Sequence, residues 1–176
     1  MKKDDISYWL DRYNREEDLY NTGLAKALGV KFRKNRFVTK GDLKKIIKWK
    51  FQGRLKGRQK AILNRLRDEE SFIISVSEAA FKAGGDNAKI RLLSSINGVG
   101  NALSSVVLAF FDPQSYGILD IHAWREVFKE KEPGDVFSNP KRAVKFFEEL
   151  RGISKVVDFS CRDIEKAMFK KNLEES

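Results

Sequence analysis

Apolar residues recur along most of this chain at the three- and four-residue spacing of an amphipathic α-helix, which predicts a helical protein. The first such segment covers 4–28, and Gly29 is expected to end it. Its candidate core positions are Ile6, Trp9, Leu10, Tyr13, Leu19 and Leu24. Further helices are predicted over 56–67, 71–83, 121–129, 140–151 and 162–173. Strand patterns are weak and no internal repeat is present, so we expect an all-α fold.

Capping signals mark the starts of two of these helices. Thr39 precedes Asp42 by three residues, and Ser160 precedes Asp163 by the same spacing. Both pairs are typical of a capping box, in which the two side chains satisfy amides that the first helical turn leaves unpaired. One helix is therefore expected to follow Thr39 and another to follow Ser160.

A short glycine turn separates two apolar helical segments near the middle of the chain. Asp86 is expected to cap the first, and the second is expected to begin at Asn101. Between them lies Gly98-Val99-Gly100, in which both glycines can adopt positive φ and Val99 can fold back as an apolar plug. The amides of such a turn and the positive end of the following helix suit a phosphate oxygen. Taken alone, however, the triplet is more often an ordinary loop.

A carboxylate follows this turn, in the segment Leu119-Asp120-Ile121-His122-Ala123-Trp124-Arg125. Asp120 stands where an N-cap of the helix over 121–129 is expected. A fixed carboxylate can also stabilise the positive charge on a sugar as its N-glycosidic bond breaks, and can activate the attacking water. His122 is expected to orient Asp120 by a hydrogen bond, and the alternative is a histidine that only packs.

The hairpin and the aspartate segment together resemble the helix-hairpin-helix, Gly/Pro-rich, aspartate (HhH-GPD) superfamily of DNA glycosylases. The family's catalytic aspartate lies in a segment of the form Val-Asp-Thr-His-x-x-Arg, and here Asp120, His122 and Arg125 stand in the same register. The resemblance is firmest over 86–130. It extends more loosely to Trp49-Lys50 and to 162–167, as in a sparsely characterised branch of the superfamily.

This resemblance implies an all-α, two-lobed glycosylase-like fold for residues 1–176, taken as one domain. The basic lobe would cover about 30–70, the helix-hairpin-helix about 86–111 and the catalytic aspartate segment 118–130. It further implies that Asp120 is catalytic, that Gly98, Val99, Gly100 and Asn101 bind DNA, and that the backbone carbonyls of Ser94, Ile96 and Val99 bind a structural K⁺ or Na⁺.

The chain also departs from the family at two points. Bifunctional members carry a Schiff-base lysine two residues after the second hairpin glycine, where this chain has Ala102. We therefore expect a monofunctional hydrolase, unless another lysine reaches the site. An iron–sulfur cluster of four cysteines is excluded, because the chain has only Cys161. No cofactor is expected to be required.

Positive charge is concentrated in the first half of the chain. The formal net charge is +10, and residues 31–67 hold 15 Lys and Arg against one acid, Asp42. Aromatic residues are interleaved with these cations, which is typical of contact with phosphates and bases. A solvated lysine-rich face is the alternative reading. The candidate DNA contacts are Lys48, Lys50, Arg54 and Arg58, and the candidates for the base pocket are Trp49 and Trp124.

These observations predict a base-excision repair glycosylase that flips a damaged or mismatched base out of duplex DNA and hydrolyses its N-glycosidic bond. The alternatives are a non-catalytic helix-hairpin-helix DNA-binding protein and an RNA-binding protein. The chain begins without an apolar leader and has no apolar run that would span a bilayer, so we expect an intracellular monomer near the nucleoid that does not associate with membranes.

Overall fold

The computed structural model describes residues 2–16, 22–51, 56–131, 134 and 136–176, and these contain ten α-helices and no β-strand. The all-α class predicted from the sequence is thus confirmed. Leu19 and Arg54 lie outside the described residues. In chain order the helices are α1 (Lys3–Arg15), α2 (Thr22–Asn35), α3 (Lys40–Lys50), α4 (Lys56–Arg65), α5 (Glu70–Lys82), α6 (Asp86–Ser94), α7 (Asn101–Phe111), α8 (Ile121–Phe128), α9 (Pro140–Val157) and α10 (Cys161–Glu175).

Helix α7 lies at the centre of the fold. Nearly all of its side chains are buried, and it packs against α2, α3, α6 and α9. The C-terminal helix α10 is a second centre, because it packs against α1, α8 and α9. Tyr13 of α1 reaches Phe169 of α10 with 6.3 Å between the ring centroids. The two ends of the chain therefore form one wall of the structure together.

The prediction of one helix over 4–28 is wrong, since α1 ends at Arg15 and Gly29 lies inside α2. A Cβ atom at Gly29 would come within 2.6 Å of the carbonyl oxygen of Phe110 on α7. Glycine therefore serves here to let two helices approach closely. One turn later, Arg33 donates through Nη1 to the carbonyl oxygens of Phe110 at 3.1 Å and Phe111 at 3.3 Å. Those carbonyls end α7, where a cation is favoured.

Two helix starts predicted from capping signals are confirmed. The Thr39 hydroxyl accepts from the Asp42 amide, the Asp42 carboxylate accepts from the Thr39 amide, and α3 begins at the next residue. Ser160 likewise accepts from the amide of Asp163 at the start of α10. The prediction that Asp86 caps α6 is wrong, because Gly85 is the N-cap of that helix. The carboxylate of Asp86 instead binds the Tyr116 hydroxyl and Arg151.

Candidate active site

The segment that leads into Asp120 is held by backbone hydrogen bonds to two helices. The amide of Leu119 donates to Ser105 Oγ on α7 at 2.8 Å, and the amide of Ile118 donates to Glu165 Oε2 on α10 at 3.2 Å. Gly117 precedes them at a crowded point, where a Cβ atom would lie 2.5 Å from a methyl group of Leu150 and 2.8 Å from the Cβ atom of Glu165. The backbone before Asp120 therefore has little freedom to move.

Asp120 is the N-cap of α8, as its position in the sequence predicts. Its φ and ψ are −134° and 150°, and Oδ1 accepts from the backbone amide of His122 at 3.0 Å. The side chain of His122 turns elsewhere: Nδ1 lies 2.9 Å from Asn172 Oδ1, and the ring packs edge-on against Phe169. The expectation that the imidazole orients Asp120 is thus wrong, because the amide of the same residue does so.

Lys50 supplies the second partner of Asp120. Its Nζ atom lies 3.0 Å from Asp120 Oδ2, although the two residues are 70 positions apart in the sequence. The Lys50 side chain is 14% exposed and that of Asp120 is 21% exposed. Lys50 is the last residue of α3, so the packing of α3 against α7 brings its amine to the aspartate. The structure therefore places Lys50 in an internal ion pair and not among outward-facing phosphate contacts.

This ion pair determines the charge state of Asp120. Burial alone would raise the pKa of the carboxyl group, because it disfavours the charged form. The Lys50 ammonium and the hydrogen bonds from His122 and Lys50 outweigh burial, and the pKa of Asp120 is lowered below its usual value. Asp120 is consequently a carboxylate at neutral pH.

A cavity of about 360 Å³, the Asp120 pocket, opens beside this pair. Its volume lies in the range of small-molecule sites. Aromatic and polar side chains from α1, α3, α8 and α10 meet in it. The lining residues are Tyr13, Trp49, Lys50, Ile118, Asp120, Ile121, His122, Arg162, Glu165 and Phe169.

Arg162 and Glu165 form the buried polar wall of the Asp120 pocket. Arg162 Nη1 donates to Glu165 Oε2, which also accepts the Ile118 amide, and Arg162 Nη2 lies 3.5 Å from the hydroxyl of Tyr13. Both charged side chains are less than 10% exposed. Paired in this way, they can line an apolar cavity without leaving an uncompensated charge.

The two tryptophans proposed for the base pocket have different locations. Trp49 is half-buried, lines the Asp120 pocket and packs edge-on against Phe110 at 5.3 Å. Trp124 is only 1% exposed and packs against Phe128 and Phe146, with ring centroids 4.1 Å and 6.1 Å away. The expectation for Trp124 is wrong, because the first turn of α8 directs this side chain into the core.

The glycine hairpin, residues 98–100, uses its two glycines differently. Gly98 has φ +86°, which favours glycine, and a Cβ atom there would lie 2.9 Å from the carbonyl oxygen of Ile62. Gly100 has φ −95° and nothing lies near its Cβ position, so it does not use the positive φ that glycine allows. Val99 donates its amide to the Ile96 carbonyl at 2.9 Å and is buried, as expected of an apolar plug.

A second cavity of about 530 Å³, the hairpin cleft, runs along this turn. Arg58 and Arg65 of α4 line it together with the hairpin and Asn101. Arg58 lies over the ring of Phe51 with 5.3 Å to the centroid. Lys48 is exposed on α3 and does not line the cleft. Of the predicted DNA contacts, the structure therefore brings Arg58 to the hairpin.

Asn101 carries the one buried side-chain nitrogen that finds no hydrogen-bond partner within the described ranges. Its Oδ1 accepts from the hydroxyl of Ser94 at 3.3 Å, whereas Nδ2 has no acceptor. A buried donor without a partner costs about 1–3 kcal/mol. This cost is incurred at the first residue of α7, where no side chain caps the helix.

The three carbonyls proposed for a monovalent cation belong to this same turn. Ser94 ends α6, so its carbonyl lies at the negative end of that helix, which suits a cation. The Ile96 carbonyl already accepts the Val99 amide and has a second lone pair to offer. The donor chemistry thus fits K⁺ or Na⁺, and the cation itself remains a prediction.

Sequence reasoning missed several residues of the Asp120 pocket. Tyr13 was predicted only as a core residue, and Phe169 was not predicted. Ser105, Glu165 and Gly117 were also not predicted to hold the aspartate segment. The loose resemblance at Trp49-Lys50 and at 162–167 was an available signal. Members of both stretches, Trp49, Lys50, Arg162 and Glu165, meet in the pocket.

Two further findings concern ligands and membranes. In the part of the chain that the structure describes, no three His, Cys, Asp or Glu side chains gather in an arrangement that could hold a metal ion. Within the same residues, no helix combines the length and the apolar character needed to cross a bilayer.

No family model matches the chain, and neither a curated protein nor a solved structure matches it.

Proposed function

We propose that this protein is an HhH-GPD-like DNA glycosylase that hydrolyses the N-glycosidic bond of a damaged or mismatched base in duplex DNA. The observation that carries the proposal is Asp120, a carboxylate held at two oxygens and facing a 360 Å³ pocket with aromatic walls. The glycine hairpin between α6 and α7, followed by this capping aspartate, supports the corresponding fold.

Asp120 is suited to the bond-breaking step. As the base departs with the bonding electrons, C1′ of the sugar becomes positively charged, and a nearby carboxylate stabilises that charge. The same carboxylate orients the water that attacks C1′ and accepts its proton. Because the backbone before Asp120 is hydrogen-bonded to α7 and α10 and its side chain accepts an amide of α8, little reorganisation accompanies the reaction.

The pocket walls are suited to a flipped base. Trp49 and Phe169 offer aromatic faces on which a base can stack, and Arg162 with the Tyr13 hydroxyl offers polar groups for its edge. Flipping such a base costs its stacking energy in the duplex, and contact with these aromatic rings offsets part of that cost.

The hairpin cleft would bind the DNA backbone. Gly100 leaves the start of α7 open, Asn101 lines the cleft there, and Arg58 and Arg65 add positive charge. Amides at a helix start and guanidinium groups bind phosphate oxygens without reading sequence. Lys48 would contribute from the neighbouring exposed face, and one monomer would suffice for both sites.

The test is a panel of duplexes that carry uracil, 8-oxoguanine, alkylated purines or mismatches, incubated with the wild type and with Asp120→Asn. Asparagine retains the cap oxygen but not the charge, so we expect intact binding and a loss of base excision of about 10²-fold or more. Released base is measured directly by chromatography. Excision that Asp120→Asn leaves unchanged would contradict the role of Asp120.

A non-catalytic DNA-binding protein is the second candidate, and the Lys50–Asp120 pair favours it. An ammonium 3.0 Å from the carboxylate offsets the negative charge that a sugar cation needs. The hairpin cleft is also lined by a different set of residues from the Asp120 pocket, so DNA binding there does not need the carboxylate. Tight duplex binding without release of any base across the panel would identify this candidate.

A further inference from the structure

A third cavity of about 270 Å³, the α2–α10 cavity, adjoins the Asp120 pocket. Trp49 and Arg162 line both cavities, so the two are neighbours. The other charged side chains of the α2–α10 cavity come from the two helices in its name. They are Lys26, Arg33, Asp163 and Lys166. The proposed base excision gives these four residues no role.

Positive charge exceeds negative charge in the wall of the α2–α10 cavity. Arg162 is neutralised by its pair with Glu165. The remaining charged side chains are three cations and one carboxylate, which leaves an excess of two positive charges. A cavity of this kind attracts an anion.

Two largely buried lysines elsewhere in the protein are matched by carboxylates. Lys170 lies 2.7 Å from Glu16 and 2.8 Å from Glu174, and Lys50 lies 3.0 Å from Asp120. These pairs balance the charge of each lysine within the protein itself. The excess of cations in the α2–α10 cavity therefore differs from the way in which the fold treats its other buried lysines.

The cations of this cavity are close enough to act on one another. The Lys166 side chain is 19% exposed and its ammonium lies 3.3 Å from Asp163. Burial lowers the pKa of Lys166, and the positive charges of Arg162 and Lys26 lower it further. Asp163 opposes this effect without cancelling it. A bound anion would reduce the repulsion among the cations.

Arg33 is held in place by groups that carry no formal charge. Its Nη1 atom donates to the carbonyl oxygens of Phe110 at 3.1 Å and Phe111 at 3.3 Å. A guanidinium group has five N–H donors on three nitrogens, and both of these bonds use Nη1. Arg33 is thus fixed beside the cavity, while its positive charge is not cancelled by these partners.

We propose that the α2–α10 cavity binds a phosphate monoester, as carried by a free nucleotide or by the end of a DNA strand. Such a group has a charge of about −1.5 to −2 at neutral pH, which matches the excess of positive charge in the wall. A carboxylate ligand would offset only half of it. Guanidinium and ammonium groups are also the usual partners of phosphate in proteins.

The aromatic wall of the cavity suits the nucleoside part of such a ligand. Trp49 and Phe110 both line the cavity, with 5.3 Å between their ring centroids. A base or sugar can pack against these rings while the phosphate lies among the cations. The inference goes beyond the proposed function, since it needs no reaction at Asp120.

The experiment is isothermal titration calorimetry of the full-length protein at constant ionic strength. The probes are inorganic phosphate, dAMP and deoxyadenosine, which lacks the phosphate. We expect inorganic phosphate and dAMP each to bind at one site, and dAMP to bind more tightly than deoxyadenosine. Absence of binding by inorganic phosphate, or equal binding of dAMP and deoxyadenosine, overturns the proposal.

A double variant tests the location of the site. Lys26→Gln with Lys166→Gln removes two positive charges from the cavity, and we expect binding of dAMP to weaken by about tenfold or more. Lys82→Gln with Lys155→Gln is the matched control, because it also removes one carboxylate-paired lysine and one exposed lysine, neither of which lines the cavity. Circular dichroism verifies that both variants are folded. Equal affinities of the two variants overturn the proposal.

Asp163→Asn tests the same site with the opposite sign. Asparagine retains an oxygen that can accept from the Ser160 hydroxyl but removes the negative charge from the cavity. We expect dAMP to bind about threefold more tightly or better. A loss of folding cannot produce tighter binding, so this result would be specific. Unchanged or weaker binding by folded Asp163→Asn overturns the proposal.

Two duplexes that differ only in a 5′-phosphate or a 5′-hydroxyl at their ends distinguish the sources of the phosphate. A DNA strand end predicts tighter binding of the 5′-phosphorylated duplex, and the double variant at Lys26 and Lys166 should remove that difference. A free nucleotide predicts equal binding of both duplexes and tighter binding of dAMP than of inorganic phosphate. Equal binding in both comparisons overturns the proposal of a monoester.

The outcome is independent of the test for the proposed function, because none of these measurements involves base release. Binding of dAMP without excision from any duplex of the panel retains this site and rejects the glycosylase. Excision of a base without binding of dAMP or of inorganic phosphate retains the glycosylase and rejects this site.

Discussion

The hairpin cleft and the Asp120 pocket are built in opposite ways. The turn between α6 and α7, which includes the hairpin, is a run of neighbouring residues, 94–101, whose shape follows from one positive φ at Gly98 and from short-range amide bonds. The Asp120 pocket joins side chains that are far apart in sequence: its Lys50–Asp120 contact spans 70 positions and its Tyr13–Arg162 contact spans 149. The shape of this turn is thus encoded locally, whereas the Asp120 pocket depends on the packing of four helices.

This difference means that each site can be perturbed without the other. Ser105 is one connection between them, because it lies on the helix that follows the hairpin and accepts the amide of Leu119 just before Asp120. Substitutions that act on only one side of this connection are the sharpest tests of the comparison.

The largest effect is expected from Gly117→Ala, which adds a methyl group where the aspartate segment touches α9 and α10. The new Cβ atom would lie 2.5 Å from Leu150 Cδ1 and 2.8 Å from Glu165 Cβ. We expect the free energy of unfolding to fall by about 1–3 kcal/mol and base excision to decrease more than duplex binding. Urea denaturation and excision assays on the folded variant measure both quantities.

Gly152→Ala is the control for that substitution. Gly152 lies inside α9 and nothing stands within 4 Å of its Cβ position. Alanine is favoured over glycine inside a helix by about 0.5–1 kcal/mol, so this variant should be slightly more stable than the wild type. Equal effects of the two substitutions would contradict the crowding at Gly117.

An intermediate effect is expected from Gly100→Val, which tests the hairpin cleft. Because φ is −95° and the Cβ position is open, the fold should tolerate the side chain. The valine would keep a phosphate from the start of α7, and we expect duplex binding to weaken by about 1–3 kcal/mol, the cost of one or two charge-assisted bonds. Base excision at saturating duplex should change little, because Gly100 does not line the Asp120 pocket.

Gly98→Ala is the counterpart of Gly100→Val, because it should lower the stability of the fold itself. Its φ of +86° and the Ile62 carbonyl 2.9 Å from the Cβ position make alanine strained there. We expect a loss of stability of about 1–3 kcal/mol, which thermal unfolding measures in the absence of DNA. A Gly98→Ala protein as stable as the wild type would mean that the turn is not held as described.

The smallest effect is a pH dependence that belongs to the Asp120 pocket. The folded-state pKa of Asp120 is lowered by Lys50 and the His122 amide against the opposing effect of burial. Ionised Asp120 therefore stabilises the fold above its unfolded pKa of about 4, and that stabilisation is lost as the pH falls through the lower folded value. The stability difference between wild type and Asp120→Asn should be constant near pH 7 and shrink below about pH 4.

Chemical denaturation at a series of pH values measures this difference. Gly100→Val provides the reference, because its stability relative to the wild type should not depend on pH. A difference for Asp120→Asn that stays constant down to acid pH would contradict an ionised, paired Asp120.

Local features of the fold were predictable. The Thr39–Asp42 capping box, the start of α10 after Ser160 and the cap at Asp120 follow from side-chain bonds over two or three residues. The continuation of α2 past Gly29 was not predictable, because a glycine after an apolar helical segment usually ends it, whereas here it serves a close contact with α7. Only the neighbouring helix distinguishes those two uses of a glycine.

In the candidate site too, local features were predictable and long-range contacts were not. Asp120 and the hairpin could be chosen from motif spacing, but the direction of a side chain could not, so Trp124 proved to be core and His122 to contact Asn172. Lys50 was expected among the phosphate contacts, because a run of cations gives no sign of which member turns inward.

By itself, the sequence determined the helical class, the capped starts of several helices and the glycine turn, because each depends on residues within one or two turns of the chain. The tertiary structure alone decided that Lys50 meets Asp120 and that Tyr13, Arg162 and Glu165 complete the pocket. The reason is physical: residues so far apart in sequence come within hydrogen-bond distance only through the packing of the helices that carry them.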